Sequence, residues 1–382
     1  MSTETKIKTI EEDPNSLYRI QKIRLTSDKS ITTPSKTIPL DILKLKDKNH
    51  LRSNGVNEIF KRLTAKKINL AEEENEHYVE LENWFNSQKN KMTEETPNLC
   101  IIDFDEKRLP TVKETEFMVD FAYCNSHITT IPTISHINQK GQKEISYSDY
   151  KAYLEQTIET IEQLNHKSIM GVIPKLAPKH MSDLIDFYSS KGINSFALDL
   201  NGSNPVTYAN RLFKILRALK KKEALENSYL HAHNVGIRVN KNADVVPAKD
   251  ILGYGLGLGS LGEKRKKFHP NREFIEMIKN NPENKFRIFD KEDYGYWKNI
   301  SAEKFKEICP ADCSFSEEDF TNIGKRSYLQ RMVNAEQLSI ESDNLKEVIS
   351  EDAEKTINYL KSKKHVLPDD VTSIEQGRKK IK

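Results

Sequence analysis

The chain has 382 residues, of which 36% are hydrophobic and 31% are charged, which is enough apolar surface for one large barrel or two smaller domains. Its 60 basic and 57 acidic residues leave a net charge of +3, which excludes a uniformly cationic nucleic-acid binder but not a local basic face. Four cysteines are too few for a disulfide scaffold, and no apolar run reaches the length of a membrane span. We therefore expect a soluble, cytoplasmic protein without a membrane partner.

Strand-like and helix-like segments follow one another along most of the chain. Residues 1–16 are polar and expected to be flexible, and residues 50–93 are expected to form charged helices because apolar residues recur there at helical spacing. Short strands are then predicted in "NLCIIDF", "ITTIPTI", "SIMGVIPKL", "INSFALDL" and "SYLHAHNVGIRV", each separated from the next by a helical pattern. This alternation predicts an α/β fold with a parallel sheet, closed as a (β/α)8 TIM-like barrel, with a doubly wound open sheet as the alternative.

The predicted organisation places the barrel at residues 17–285, with the helical insertion at about 50–93. Residues 286–366 are expected to form an aromatic segment and a C-terminal helical subdomain, and residues 367–382 a basic tail. The aromatic segment "FRIFDKEDYGYW" is either a platform on which bases stack, or ordinary core or subunit interface.

Two acids and two histidines occupy positions where barrel strands should end. Asp103 and Asp199 are the catalytic candidates, since carboxylates at the carboxyl ends of barrel strands commonly carry the chemistry. The segment "DLNGSNP" around Asp199 is equally suited to a turn and a helix cap. His231 and His233 share one face of a strand, where they either bind substrate or are hydrogen-bonded core residues.

The stretch "DILGYGLGLGSLGEKRKK", residues 250–267, combines five glycines with a basic run. It contains G-x-G-x-x-G, but its late place in the chain and the early Pro270 argue against a dinucleotide fingerprint. The glycines either allow close backbone packing at a strand end or present backbone amides to a phosphate backbone. On the second interpretation the substrate contacts are Gly257 and Gly259, and the nucleic-acid contacts are Lys264, Arg265, Lys266 and Lys267.

The cysteines do not predict a metal site. Cys309 and Cys313 in "CPADC" have one residue more between them than C-x-x-C, and no histidine lies suitably close in sequence. No metal and no cofactor are therefore predicted.

In their order along the chain, several segments resemble the tRNA-guanine transglycosylase superfamily, whose members are modified TIM barrels that exchange a base in nucleic acid. "SDKSITTPSKTIPL" looks like the opening strand of that family, "SYLHAHNVG" like its Y-L-M-G-V-G strand, and "NAEQLSIESDNLKEVI" like its late helix pair. The resemblance covers residues 17–366 and implies tRNA or another nucleic acid as the partner. Asp103 stands where the family has its general acid.

The sequence departs from that family at the nucleophile and at the zinc motif. No carboxylate precedes Glu263 in the region of the nucleophilic aspartate, and the cysteine and histidine ligands are incomplete. The resemblance therefore implies an RNA-binding pseudoenzyme or a non-catalytic subunit, paired with an active paralogue or with itself.

Two alternatives stay open. One is an active pentosyltransferase of the 7-deazaguanine type, acting on tRNA or DNA, with its nucleophile displaced to Asp199, Asp250 or Glu263. The other is a small-molecule TIM-barrel enzyme such as a lyase or a flavin oxidoreductase.

Overall fold

The structure is a computed structural model, and it describes residues 5–26, 28–47, 51–52, 55–92, 96–135, 137, 145–164, 167–174, 176–177, 179–237, 243–265, 287–298, 300–309, 314–316, 318–319 and 326–381. The strands are β1 Lys6–Glu12, β2 Arg19–Arg24, β3 Ser30–Thr32, β4 Ser35–Lys36, β5 Ile38–Pro39, β6 Asn57–Leu63, β7 Asn98–Phe104, β8 Ile128–Thr130, β9 Thr133–Ile134, β10 Ile169–Ile173, β11 Ser195–Asp199, β12 Tyr229–His233, β13 Val245–Pro247, β14 Ser260–Leu261, β15 Arg287–Asp290 and β16 Gly295–Lys298. The α-helices are α1 Ala65–Glu73, α2 Asn75–Lys89, α3 Val112–Cys124, α4 Tyr147–Leu164, α5 His180–Ser190, α6 Pro205–Lys221, α7 Ala302–Ile308, α8 Arg326–Asp352, α9 Thr356–Ser362 and α10 Pro368–Ile381.

Parallel strands of the described chain form a barrel. They are hydrogen-bonded in the order β4, β14, β12, β11, β10, β8, β7, β6, β5, and β9 also pairs with β7. Only Thr37 separates β4 from β5, so the two ends of this path belong to one chain segment and the barrel is nearly closed there. Helices α3 to α6 connect successive strands. The predicted TIM-like barrel is confirmed.

The region expected to be a helical insertion contains one of the barrel strands. "VNEIFKRL" forms most of β6, whose Ile59 and Leu63 pack outward against the same apolar cluster as Phe85 of α2. Glu58 and Arg62 lie on the other face, inside the barrel. Val56, Ile59, Phe60 and Leu63 are spaced as i, i+3, i+4 and i+7, which is the apolar spacing of an amphipathic helix. The inserted helices are therefore only α1 and α2.

Both ends of the chain are more ordered than expected. In the segment expected to be flexible, β1 pairs with β2 in a three-stranded antiparallel sheet. In the segment expected to be a basic tail, α10 buries Ile374 completely and places Arg378 in an ion pair with Glu12. The apolar positions of α10 are spaced three to seven residues apart, which allows a helix with a buried face despite its lysines.

The aromatic segment is core. Strand β16 pairs antiparallel with both β13 and β15, and Phe289, Tyr294 and Tyr296 are all at most 3% exposed. A platform for base stacking needs exposed ring faces, which these rings do not have. In the part of the chain that the structure describes, no helix is both long and apolar enough to cross a membrane.

Candidate active site at the carboxyl end of the barrel

The carboxyl ends of the barrel strands bring Asp199 and His233 side by side. Asp199 ends β11, His233 ends β12, and the two residues are direct partners in the register of this parallel pair. Asp103 lies on β7, three strands further around the barrel, and its charge still reaches His233. Since this end of a TIM barrel carries the active site, the predicted residues occupy a suitable place.

His233 is buried without hydrogen-bond partners. Its side chain is 3% exposed, and neither ring nitrogen hydrogen-bonds to any residue that the structure describes. Burial lowers the pKa of His233, because it disfavours the imidazolium ion more than the nearby Asp199 favours it. The neutral ring offers one donor and one acceptor. Leaving such groups unpaired costs about 1–3 kcal/mol each, a cost that a bound ligand would remove.

The Asp199 carboxylate is held in one orientation by two asparagines. Its Oδ1 accepts hydrogen bonds from the Asn201 backbone N–H at 2.7 Å and from Asn234 Nδ2 at 3.0 Å. Both asparagines have positive φ angles, 49° and 54°, a conformation that L-residues seldom adopt and that is common near functional sites. No described residue hydrogen-bonds to Asp199 Oδ2, so this oxygen is available to a ligand.

The loop after Asp199 also begins helix α6, as its sequence suggests. Asn204 Oδ1 accepts a hydrogen bond from the Thr207 backbone N–H at 2.9 Å, and Pro205 is the first residue of the helix. Pro205 has no N–H to leave unpaired at this position, and its φ is already helical. The segment "DLNGSNP" therefore serves both as a helix cap and as the support of a candidate catalytic acid.

A network of charged and polar side chains lies inside the barrel and at its rim. Arg265 donates from Nε to Glu58 Oε1 at 3.0 Å and from its two terminal nitrogens to Asp41 at 2.6 and 2.9 Å. Glu58 Oε2 faces His231 Nε2 at 3.4 Å and accepts from Thr37 Oγ1 at 3.2 Å. Burial acts to raise the pKa of Glu58, but Arg265 and His231 more than offset it and hold this pKa well below its usual range.

His231 belongs to this network. Its Nδ1 lies 2.8 Å from Ser260 Oγ, which also contacts the Tyr229 hydroxyl, and its Nε2 faces Glu58. The side chain is completely buried. Its Nδ1 is therefore paired, whereas Nε2 has no hydrogen-bond partner among the described residues, and the substrate contact expected of His231 stays a prediction.

Asp103 is enclosed by donors. Arg62 Nε lies 2.9 Å from its Oδ2, Thr133 Oγ1 donates to Oδ1 at 2.8 Å, and the Ser135 hydroxyl donates to Oδ2. Burial raises the pKa of Asp103, although these donors act in the opposite direction. Arg62 also donates to the Arg265 carbonyl oxygen at 2.9 Å, so Asp103 orients an arginine that joins β6 to the end of β14.

Of the four predicted basic contacts, the structure describes Lys264 and Arg265. Arg265 is 8% exposed and engaged by Glu58 and Asp41, so it is not available to a phosphate backbone. Lys264 is exposed. Lys266 and Lys267 lie outside the described residues.

The glycine stretch lies at the other end of the barrel from the candidate site. Gly257 and Gly259 precede β14 and hence lie at the amino ends of the parallel strands. A Cβ on Gly257 would meet Leu216 at 3.0 Å, and one on Gly259 would meet Thr33 and Tyr229 at 3.0 Å. Their expected contact with substrate is therefore corrected to close packing, the other interpretation of this stretch. Sequence reasoning missed Glu58, Arg62 and Asn234, since the first two were assigned to a helix.

The described residues contain no group of three or more histidine, cysteine, aspartate or glutamate side chains that could hold a metal ion. Cys309 is buried, and Cys313 lies outside the described part of the chain.

Comparisons with known proteins give remote structural similarities. No protein-family model matches the chain, and no curated protein matches it either. Among solved structures, it is similar to a Coccidioides immitis protein that carries the name fructose-1,6-biphosphate aldolase, at 10% identity and a TM-score of 0.37, over 81% of this chain and 90% of that one. It is also similar to oxaloacetate acetylhydrolase, at 10% identity and a TM-score of 0.37, over 76% and 89%. A third is the carboxyl transferase domain of Rhizobium etli pyruvate carboxylase, at 9% identity and a TM-score of 0.39, over 90% and 59%.

The expected membership of the tRNA-guanine transglycosylase superfamily is wrong on this comparison. The matched structures are named as an aldolase, a hydrolase and a carboxyl transferase, and none of them is a tRNA enzyme. The expected role as a tRNA-binding pseudoenzyme or subunit is therefore wrong as well. The resemblance rested on inexact motifs at strand ends, and strand ends of similar composition recur in unrelated barrels. Similarity at these TM-scores says nothing about the substrate of this chain.

Proposed function

We propose that this chain is an enzyme that transfers protons to and from a small polar molecule bound at the carboxyl end of the barrel. The single observation that carries the proposal is His233, buried there with both ring nitrogens unpaired. Natural proteins rarely leave buried polar groups without partners except where a ligand or a catalytic step uses them. This is the small-molecule alternative, argued from the geometry of the site.

The arrangement supports general acid–base catalysis. A neutral imidazole can accept a proton from a carbon or hydroxyl group and donate one to a leaving group, and His233 has no competing hydrogen bond within the described chain. Asp199 is its register partner on the neighbouring strand, and its charge would stabilise the imidazolium ion that forms when His233 accepts a proton. The fixed orientation of Asp199 avoids reorganisation during this step.

The burial of the site favours a small substrate. His233 is 3% exposed, so a reacting atom must enter the end of the barrel to reach it. The network around Glu58 and Arg265 lies in the interior beneath. A compact molecule with a carbonyl or hydroxyl group would pair with His233 and Asp199 together.

Proton exchange in D₂O tests the proposal directly. The wild-type protein would be incubated with a panel of small carbonyl and hydroxy compounds, and loss of C–H signals followed by NMR. We expect exchange for at least one compound, and we expect H233N to lower its rate at least about 100-fold, the usual contribution of a general base.

His77 provides the matched control, because it is half-exposed on α2 and far from the barrel end in sequence. H77N should exchange at the wild-type rate. Exchange by H233N at the wild-type rate, or no exchange by the wild type with any compound, would contradict the assignment.

A further inference from the structure

A cavity lies beside the barrel end, between the segments that follow β12 and β14 and the long helix α8. Its volume is about 190 Å³. Neither His233 nor Asp199 lines it. Its polar walls include Lys36, Asp250, Glu263, Lys264, Tyr296 and Arg331.

One wall of the cavity carries a carboxylate without an ion-pair partner. Asp250 is 6% exposed, and its Oδ2 accepts a hydrogen bond from the Tyr296 hydroxyl at 2.5 Å. Its Oδ1 is buried, and no described residue donates a hydrogen bond to it. No cation of the described chain lies within salt-bridge distance of Asp250, although the charge of Lys36 reaches it from further away. A positively charged donor would therefore pair with this oxygen.

Another wall carries more positive than negative charge. Glu263 is shared by Arg331, whose Nε lies 3.2 Å from its Oε1, and by Lys36, whose Nζ lies 3.7 Å from its Oε2. Arg331 uses only Nε in this contact, and no described residue accepts from its two terminal nitrogens. The Arg331 side chain is 33% exposed, and Lys264 beside it is also exposed. These donors are free to bind an anion.

We infer that this cavity binds a small zwitterion of the amino-acid type, with its ammonium group on Asp250 and its carboxylate on Arg331 and Lys264. A simple cation would leave the arginine nitrogens unpaired, and a simple anion would be repelled by Asp250 and Glu263. An arginine with two free terminal nitrogens matches a carboxylate in both geometry and charge. A small amino acid fits within the volume of the cavity.

The ligand would contact the chain segment that also carries Arg265 of the barrel interior. Glu263 and Lys264 directly precede Arg265, whose backbone N–H donates to Asn234 Oδ1 at 2.9 Å and whose side chain binds Glu58. Occupation of the cavity is nevertheless separate from chemistry at His233. The inference therefore does not depend on the proposed function.

Binding of glycine, L-alanine and β-alanine to the full chain, measured by isothermal titration calorimetry, tests the inference. At least one of them should bind, whereas acetate and methylammonium should bind at least about tenfold more weakly because each pairs with only one wall. D250N should weaken binding of the zwitterion at least about tenfold, since it removes the charge and preserves the shape. R331Q should weaken it to a similar extent.

Asp149 is the matched control, because it is exposed on α4, and D149N should bind like the wild type. H233N should also bind like the wild type, which distinguishes this cavity from the barrel end. Thermal melting of each variant in the absence of ligand separates lost binding from lost folding. The inference is overturned if no zwitterion binds the wild type, if acetate or methylammonium binds equally well, or if folded D250N binds without loss.

Discussion

Replacing Arg265 with methionine is expected to lower the free energy of unfolding by about 3–5 kcal/mol, because it leaves two buried carboxylates without their cation. Arg265 is the shared partner of Glu58 and Asp41, with the shortest contacts at 2.7 and 2.6 Å. Methionine has a similar length and no charge, so the loss would come mainly from the unpaired carboxylates and not from a cavity. Chemical denaturation of the wild type and R265M at neutral pH measures this difference in the free energy of unfolding.

The stability loss in R265M should depend on pH with a defined sign. In the wild type the pKa of Glu58 lies below its unfolded value, so Glu58 contributes stability above that value of about 4.3 and loses it as the pH falls. Without Arg265, burial would raise the pKa of Glu58 above the unfolded value, and its stabilising contribution would be lost as the pH rises. The difference between wild type and variant should therefore grow between about pH 4 and about pH 7.

The control for this prediction is R24M, because Arg24 is exposed on β2 and should change stability by less than about 0.5 kcal/mol. Equal stability losses in R265M at pH 4 and pH 7 would show that charge is not the cause. A loss no larger than that of R24M would show that the buried network contributes nothing.

The sequence is sufficient to predict the barrel because its helices and strands alternate regularly and its strands are apolar. It is misleading at β6, where Glu58 and Arg62 face a polar barrel interior and so produce the pattern of a surface helix. Asp199 and His233 could be predicted as candidates because each ends a recognisable apolar strand. The position of a residue relative to a strand end can be read from the local sequence, so it does not depend on the family assignment.

The role of Arg265 could not be predicted from its position relative to a strand end. Within "EKRKK" it reads as one of several exposed cations, whereas in the fold its partners are 207 and 224 residues away in sequence. Such pairing depends on closure of the barrel between β14 and β4, which no short motif encodes. The basic run and the glycine run are adjacent in sequence, and β14 carries them to opposite ends of the barrel.

Gly236→Ala is expected to destabilise the barrel end by about 3 kcal/mol, the upper part of the usual range for overpacking. A Cβ at Gly236 would lie 2.0 Å from the backbone oxygen of Gly202, in the loop that follows β11. The two loops are also joined by backbone hydrogen bonds, from Gly236 N to Ser203 O at 3.0 Å and from Gly202 N to Asn234 O at 2.8 Å. A backbone atom held in this way cannot move aside as a side chain could.

The same substitution should also disturb the candidate active site, because the separated loops carry the asparagines that hold Asp199. Gly192→Ala is the matched control: Gly192 has a φ of +69° and no atom within 4 Å of an added Cβ, so it should cost only about 1 kcal/mol of backbone strain. Denaturant unfolding of both variants compares the free-energy cost of the steric clash in G236A with that of backbone strain in G192A. D₂O exchange measures the effect of each variant on the barrel end. If G236A were as stable as G192A, the two loops would not be in contact in solution, and the orientation of Asp199 would need another cause.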